Sequence, residues 1–250
     1  MPNTSEHFLS VIVPVYKQEK TIKKDILRIL KTLEKIRYPF ELIAVIDGIF
    51  IDKSYYILKK IKKQNLKIIA SKRNHGKGFA IKKGMSISKG DYVAFIDAGM
   101  EIDPNGLSMI LEHMEWYNAD IIVGSKRHPA SQINYPLERR FISFFAQKYA
   151  KYFLGLKITD TQAGLKIFKS KVLKRILPKL LVKQYAFDLE LLAVANHLGF
   201  KRIYEAPIKL KYGFTSLTHA SGFSVLWKSL LDALAIFYRL RILHYYDQKN

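Results

Sequence analysis

The 250-residue chain contains no cysteine, which excludes disulfide scaffolds, cysteine-ligated zinc, iron–sulfur centres and thiol nucleophiles. Acidic residues are scarce. The 21 Asp and Glu stand against 42 Lys and Arg, a formal charge of +21, so anionic partners are favoured: nucleic acid, phosphorylated substrates or an acidic membrane face. Helix-turn-helix, RNP and zinc patterns are missing, and nucleic acid is therefore not the expected partner. No apolar run reaches the roughly 18 residues of a spanning helix. The best candidate, Phe223 to Tyr246, is broken by Lys228, Asp232, Arg239 and Arg241. Met1 to His7 is polar and the first apolar stretch, Phe8 to Val15, is short, so no secretory leader is expected. Repeats, low-complexity tracts and Gly/Ser linkers are also lacking, which predicts one domain over 1–250. Its parts would be 8–125, 126–215 and a C-terminal helical part at 216–250.

What is present is a large apolar inventory, 49% hydrophobic and 13% aromatic, enough for a sizeable core. Apolar runs rich in β-branched residues alternate with stretches of helical spacing. Leu9–Val15, Phe40–Ile46, Leu66–Ala70, Tyr92–Ile96 and Ile121–Val123 read as strands. Ile22–Ile36, Tyr55–Ile61, Gly78–Ile87 and Leu107–Trp116 read as helices. Such strands, apolar throughout, predict an α/β fold with a mostly parallel sheet flanked by helices on both faces. Ligands then bind beyond the carboxyl ends of the strands. Further on, the spacing predicts helices over 137–154, 171–176 and 187–198, a strand over 202–206 and a final amphipathic helix over 223–241.

Several residues fall where chemistry is expected. Asp97 closes the Tyr92–Ile96 strand, with Glu101 and Asp103 shortly after, and carboxylates so placed can hold Mg²⁺ or Mn²⁺ against phosphates. Asp103 equally suits a cap for the helix opened by Pro104. Asp47-Gly48 ends the second strand, as a base- or ribose-binding acid or as an ordinary turn. Arg73-Asn-His-Gly-Lys-Gly78 matches neither the P-loop nor the dinucleotide fingerprint, yet glycines and Lys77 at a helix N-terminus can meet phosphate. Lys126, Arg127, Arg139 and Arg140 crowd one region, and arginine forks suit phosphate oxygens. The helix begun there carries an aromatic stripe with Lys148 and Lys151 alongside, which suits either a core helix or one lying in the headgroup layer. Asp188 and Glu190 lie in an apolar stretch where buried acids need partners. One of them facing a site and a helix N-terminal carboxylate are equally good readings.

Taken in order, these motifs resemble glycosyltransferase family two, of the GT-A fold. The likeness is carried by Val11-Ile-Val-Pro-Val-Tyr16 with Glu19, Val45-Ile-Asp-Gly48, Asn74-His-Gly-Lys-Gly78 and Phe95-Ile-Asp-Ala98. Val123-Gly-Ser-Lys-Arg127, Arg139-Arg140 with Ser143, Asp160-Thr-Gln-Ala-Gly-Leu-Lys166 and Phe187-Asp-Leu-Glu-Leu-Leu192 resemble the polyprenyl-phosphate branch, which includes dolichyl-phosphate glucosyltransferases and dolichol-phosphate mannosyltransferases. The resemblance implies that Pro14, Tyr16 and Glu19 line the nucleotide pocket, that Asp47 binds the base and that Lys77 sits near the nucleotide. It implies that Asp97 is the first acid of the Asp-x-Asp metal motif and that Asp188 faces sugar or acceptor. Lys126 or Arg127, with Arg139, Arg140 and Ser143, would hold the acceptor phosphate. The second metal-motif acid is Gly99 here, with Glu101 two residues on, so a Mg²⁺ or Mn²⁺ site would rest on Asp97 and Glu101.

The expected activity is inverting transfer of a hexose from a UDP- or GDP-sugar to a polyprenyl (dolichyl or undecaprenyl) phosphate. The chain is expected in the cytoplasm, peripherally attached to an anionic membrane surface. Its last helix would contact the bilayer, a membrane subunit or a second copy. The alternatives are a same-fold transferase with a saccharide or protein acceptor, in which Asp188 is a general base, and a nucleotide-sugar-binding pseudoenzyme.

Overall fold

The computed structural model describes residues 7–99, 101–131, 147–184, 186–210 and 223–248. Strands β1 (Leu9–Val15), β2 (Phe40–Asp47), β3 (Leu66–Ser71), β4 (Tyr92–Ile96), β5 (Ile121–Ser125), β6 (Leu165–Lys169) and β7 (Ile203–Pro207) form one sheet. Their order is β3-β2-β1-β4-β6-β5-β7. β6 runs antiparallel to both β4 and β5, and the other pairings are parallel. Helices α1 (Ile22–Leu33), α2 (Ser54–Lys59), α3 (Lys77–Ser86) and α4 (Gly106–Trp116) connect the first five strands. A helical stretch at 147–154 (α5), then α6 (Ser170–Ile176), α7 (Phe187–His197) and α8 (Phe223–Arg241), complete the set.

Period-two alternation divides each central strand between two cores. In β1 Leu9, Val11, Val13 and Val15 join α1, α2 and α4 on one face, whereas Ile12 joins α3 and α7 on the other. In β4 Tyr92, Ala94 and Ile96 face the first core, and Val93 and Phe95 the second. Burial on both faces is why these strands read as unbroken apolar runs, and each such side chain contributes about 1.5–3 kcal/mol.

The expected mostly parallel sheet is present, and most expected elements begin or end within a residue or two of the observed ones. The exception is β6. The spacing assigns no element to its Gly-containing segment, yet it threads between β4 and β5 as an antiparallel strand. The chain reverses its order of strand addition at β1, which has β2 on one side and β4 on the other. Sheets of this kind open a ligand crevice outside the carboxyl ends of the strands at that reversal. Asp97 directly follows β4, and Tyr16 directly follows β1.

Candidate active site

Asp97 leaves β4 beside the start of β6. Its amide donates to the Gly164 carbonyl at 2.9 Å. Gly164 allows this approach, since a Cβ there would lie 2.2 Å from Asp97 Oδ2. Lys77, the first residue of α3, reaches across the crevice, with Nζ 2.7 Å from Asp97 Oδ2 and 3.8 Å from Asp188 Oδ2. Burial alone would lower the Lys77 pKa, but the charges of Asp97 and Asp188 and the Asp97 hydrogen bond outweigh it. The pKa ends above the ordinary lysine value, so Lys77 is a cation at every physiological pH. Asp188, in the first turn of α7 and almost fully buried, accepts a second ammonium: Lys166 Nζ lies 2.6 Å from its Oδ1. Asp97, Lys77, Asp188 and Lys166 thus form a continuous chain of alternating charge.

Asp47 lies at the end of β2 and is buried. Its Oδ2 accepts the amides of His75 (2.8 Å) and Gly76 (2.7 Å), and its Oδ1 lies 3.1 Å from His75 Nδ1. The expected base-binding acid therefore shapes the turn that delivers Lys77. The start of α3 is also held from the far side, where the Phe79 amide donates to the Lys183 carbonyl. Pro14 is half-buried in β1, and Tyr16 is exposed just beyond it. Glu19 accepts the Lys53 amide at 3.0 Å while its own amide donates to Asp52, tying the loop after β1 to that after β2.

Lys126 follows β5. Its amide donates to Asp160 Oδ2 at 3.0 Å, and its Nζ lies 3.7 Å from Glu101 Oε2. The Arg127 amide donates to Ser125 Oγ. Arg139, Arg140 and Ser143, expected at the acceptor phosphate, lie outside the described residues. Position 99 is glycine for a backbone reason: its φ is +91°, a region that L side chains rarely adopt, and its amide donates to the buried Asp25 of α1.

Glu190, the second acid in the apolar stretch, points elsewhere. Its Oε2 accepts the amides of Leu181 (3.0 Å) and Val182 (2.8 Å). Its Oε1 accepts the Tyr246 hydroxyl at 2.7 Å and lies 3.5 Å from an Arg239 guanidinium nitrogen. This acid clamps α8 and the C-terminal turn to the body. Lys166, Gly164 and Asp160 join the site although no role is expected of them individually; the motif that contains them carries part of the family resemblance. Of the two lysines in Leu165–Lys169, neither carries a local mark of pointing inward, and only the burial of β6 reveals that Lys166 does.

Among the described residues no cluster of three acid or histidine side chains is arranged to hold a metal ion. One observation nevertheless leaves room for such an ion. Asp97 Oδ1 is buried and has no hydrogen-bond partner.

Residues 10–177 match the family described as Glycosyl transferase family 2. A dolichyl-phosphate beta-glucosyltransferase of Dictyostelium discoideum is 28% identical over 206 residues, 77% of this chain and 63% of that protein. The human protein of that name is 31% identical over 203 residues, 75% of this chain and 63% of the relative. The chain thus spans under two thirds of the length of these relatives. Among solved structures, glucosyl-3-phosphoglycerate synthase from Mycobacterium tuberculosis, in complex with Mn²⁺, UDP and phosphoglyceric acid, superposes with a TM-score of 0.69. The identity is 16%, with 93% of this chain and 79% of that one covered, a likeness of fold.

Proposed function

The chain belongs to glycosyl transferase family 2, and we propose that it moves a hexose from a nucleotide-diphosphate sugar to a polyprenyl phosphate with inversion at the anomeric carbon. The observation that carries this reading is the state of Asp188. Both of its oxygens face ammonium groups, Lys166 at 2.6 Å and Lys77 at 3.8 Å. Taking a proton from a hydroxyl would mean giving up these pairs, so Asp188 orients rather than deprotonates. A saccharide or protein hydroxyl would need a base; a phosphate monoester arrives already anionic. Its oxygen attacks the anomeric carbon, the bond to the diphosphate oxygen breaks and the electron pair leaves with the nucleoside diphosphate. No proton has to move.

The protein's contribution is then placement of two anions and neutralisation of the leaving one. Lys77 stands at the donor side, Lys126 and Arg127 follow β5, and Arg139, Arg140 and Ser143 are assigned to the acceptor phosphate. The names of the relatives support the lipid-phosphate acceptor, and the UDP-bound fold neighbours support a nucleotide donor, UDP or GDP. The unpartnered Asp97 Oδ1 suits a Mg²⁺ or Mn²⁺ ion, because magnesium is commonly held by one or two carboxylates plus substrate phosphates. Asp97, with Glu101 nearby, would hold it. Such an ion supplies charge neutralisation on the diphosphate.

Among the described residues no helix is long and apolar enough to cross a membrane. Trp227, Leu230, Leu231, Leu234 and Tyr238 of α8 are exposed, beside exposed Tyr152 and Phe153 of α5. Lys148 and Lys151 lie over the Tyr152 ring. An apolar stripe edged by lysines supports peripheral attachment to the anionic leaflet where the acceptor resides.

The test incubates the full chain with UDP-glucose or GDP-mannose, labelled in the sugar, and vesicles carrying dolichyl or undecaprenyl phosphate. Label is expected in the organic-soluble lipid. Label in water-soluble glycan, or donor binding without nucleotide release, would overturn the reading.

A further inference from the structure

Lys166 is completely buried, an expensive location for an ammonium unless its charge is matched. It stands in β6 opposite Phe95 of β4, with Nζ 5.2 Å from the centroid of that ring. Two acceptors hold it: Asp188 Oδ1 at 2.6 Å and the Ala163 carbonyl at 2.7 Å. The second lysine beside Asp188 differs in one respect. Lys77 is a quarter exposed, stands in the crevice and already divides itself between Asp97 and Asp188. An incoming diphosphate competes for Lys77. It cannot reach a lysine with no exposed surface, so Lys166 remains on Asp188 when a donor binds.

We propose that Lys166 sets the acceptor class. By keeping Asp188 in an ion pair while the donor is bound, it withholds that carboxylate from service as a base for water or sugar hydroxyls, and confines transfer to acceptors that are already anionic. Lys166 is thus a positioning residue acting through Asp188. The inference rests on the phosphate-acceptor reading above and extends it to what the site rejects. With Lys166 in place, the phosphate oxygen displaces the diphosphate and no proton is transferred. With its charge removed, water can attack the same carbon, its proton passing to Asp188 as the same carbon–oxygen bond breaks, to give free hexose and nucleoside diphosphate.

The experiment measures two products from one reaction, labelled lipid and labelled free hexose, with nucleoside diphosphate release as the sum. Lys166→Gln removes the charge but keeps a donor for the Ala163 carbonyl. It is expected to raise the ratio of hydrolysis to transfer about 100-fold, the lower end of what a positioned base contributes. Lys166→Arg retains the charge and is expected to keep the wild-type ratio. The double variant Lys166→Gln/Asp188→Asn lacks the base and is expected to lose the gained hydrolysis. A purely structural role for Lys166 would lower both products together and leave the ratio where it was. An unchanged ratio in Lys166→Gln beside wild-type transfer, or hydrolysis that persists in the double variant, overturns the role of Lys166. Absence of labelled lipid from the wild type would instead overturn the acceptor reading itself. Should Lys166→Gln fail to fold, the ratio in Lys166→Arg decides: a rise there, with the charge still present, overturns the proposal, and a wild-type ratio supports it.

Discussion

The two sides of α7 treat the same kind of residue in opposite ways. Asp188 and Glu190 sit two positions apart in the first turn of the helix, and both are buried. Asp188 looks into the crevice and meets lysines, one of which, Lys77, is open to an incoming ligand. Glu190 looks away from it and meets two backbone amides, a tyrosine hydroxyl and an arginine, all supplied by the scaffold. A buried acid is therefore not by itself a mark of a site. What distinguishes the two is whether the partners can be exchanged for a ligand.

The largest expected effect breaks the scaffold side. Glu190→Ala strands the Arg239 charge and leaves three other donors unmatched, at a cost of about 3–5 kcal/mol. At about 2–4 °C per kcal/mol for a chain of this size, a thermal melt should drop by roughly 6–20 °C. Turnover per folded molecule should stay within about threefold of wild type, as expected for a variant whose transition-state contacts are untouched. Asp188→Asn should do the reverse in kinetics, lowering kcat about 100-fold through misplaced reactants. If Glu190→Ala lowered kcat as far as Asp188→Asn, the comparison would fail.

A smaller effect sharpens the crevice side. In Gly164→Ala the new methyl must displace Asp97, whose Oδ2 would lie 2.2 Å from it. Isothermal titration should show donor nucleotide binding weakened about tenfold with Mg²⁺ or Mn²⁺ present, in line with about 1.4 kcal/mol of lost contact.

The smallest effect concerns the outer end of the scaffold side. The hydrogen bond from His197 is the main cause that holds the Asp247 carboxyl below its ordinary value of 3.8, with His244 adding to it. A folded pKa lower than the unfolded one gives stability that is fully present above the ordinary value and is lost as pH falls through the folded one. Melting temperature measured from pH 5 downward should therefore fall less steeply in Asp247→Asn than in wild type. Parallel curves would remove this contact from the clamp.

Much of this arrangement is legible without coordinates. The strands β1 and β4 follow from short unbroken apolar runs, because both faces of a central strand are buried, and the limits of α8 follow from helical periodicity, because every third-to-fourth residue must face a core. Asp97 and Asp47 are marked by their position at strand ends, and Lys77 by its glycine-flanked helix start. β6 is not legible, since a five-residue strand with lysines at its second and last positions carries no clean alternation. Nor is the division of labour between Asp188 and Glu190, which share one apolar context.

The amino-acid order alone determines a parallel α/β sheet, a crevice beyond its carboxyl ends and a strongly cationic surface, because these depend on local period, strand length and composition. Tertiary structure alone decides which charges meet. Lys166 finds Asp188 across 22 residues, Lys77 finds Asp97 across 20 and Tyr246 finds Glu190 across 56. Such pairings are set by how β6 inserts between its neighbours and how α8 packs against α7, and no run of adjacent residues encodes either.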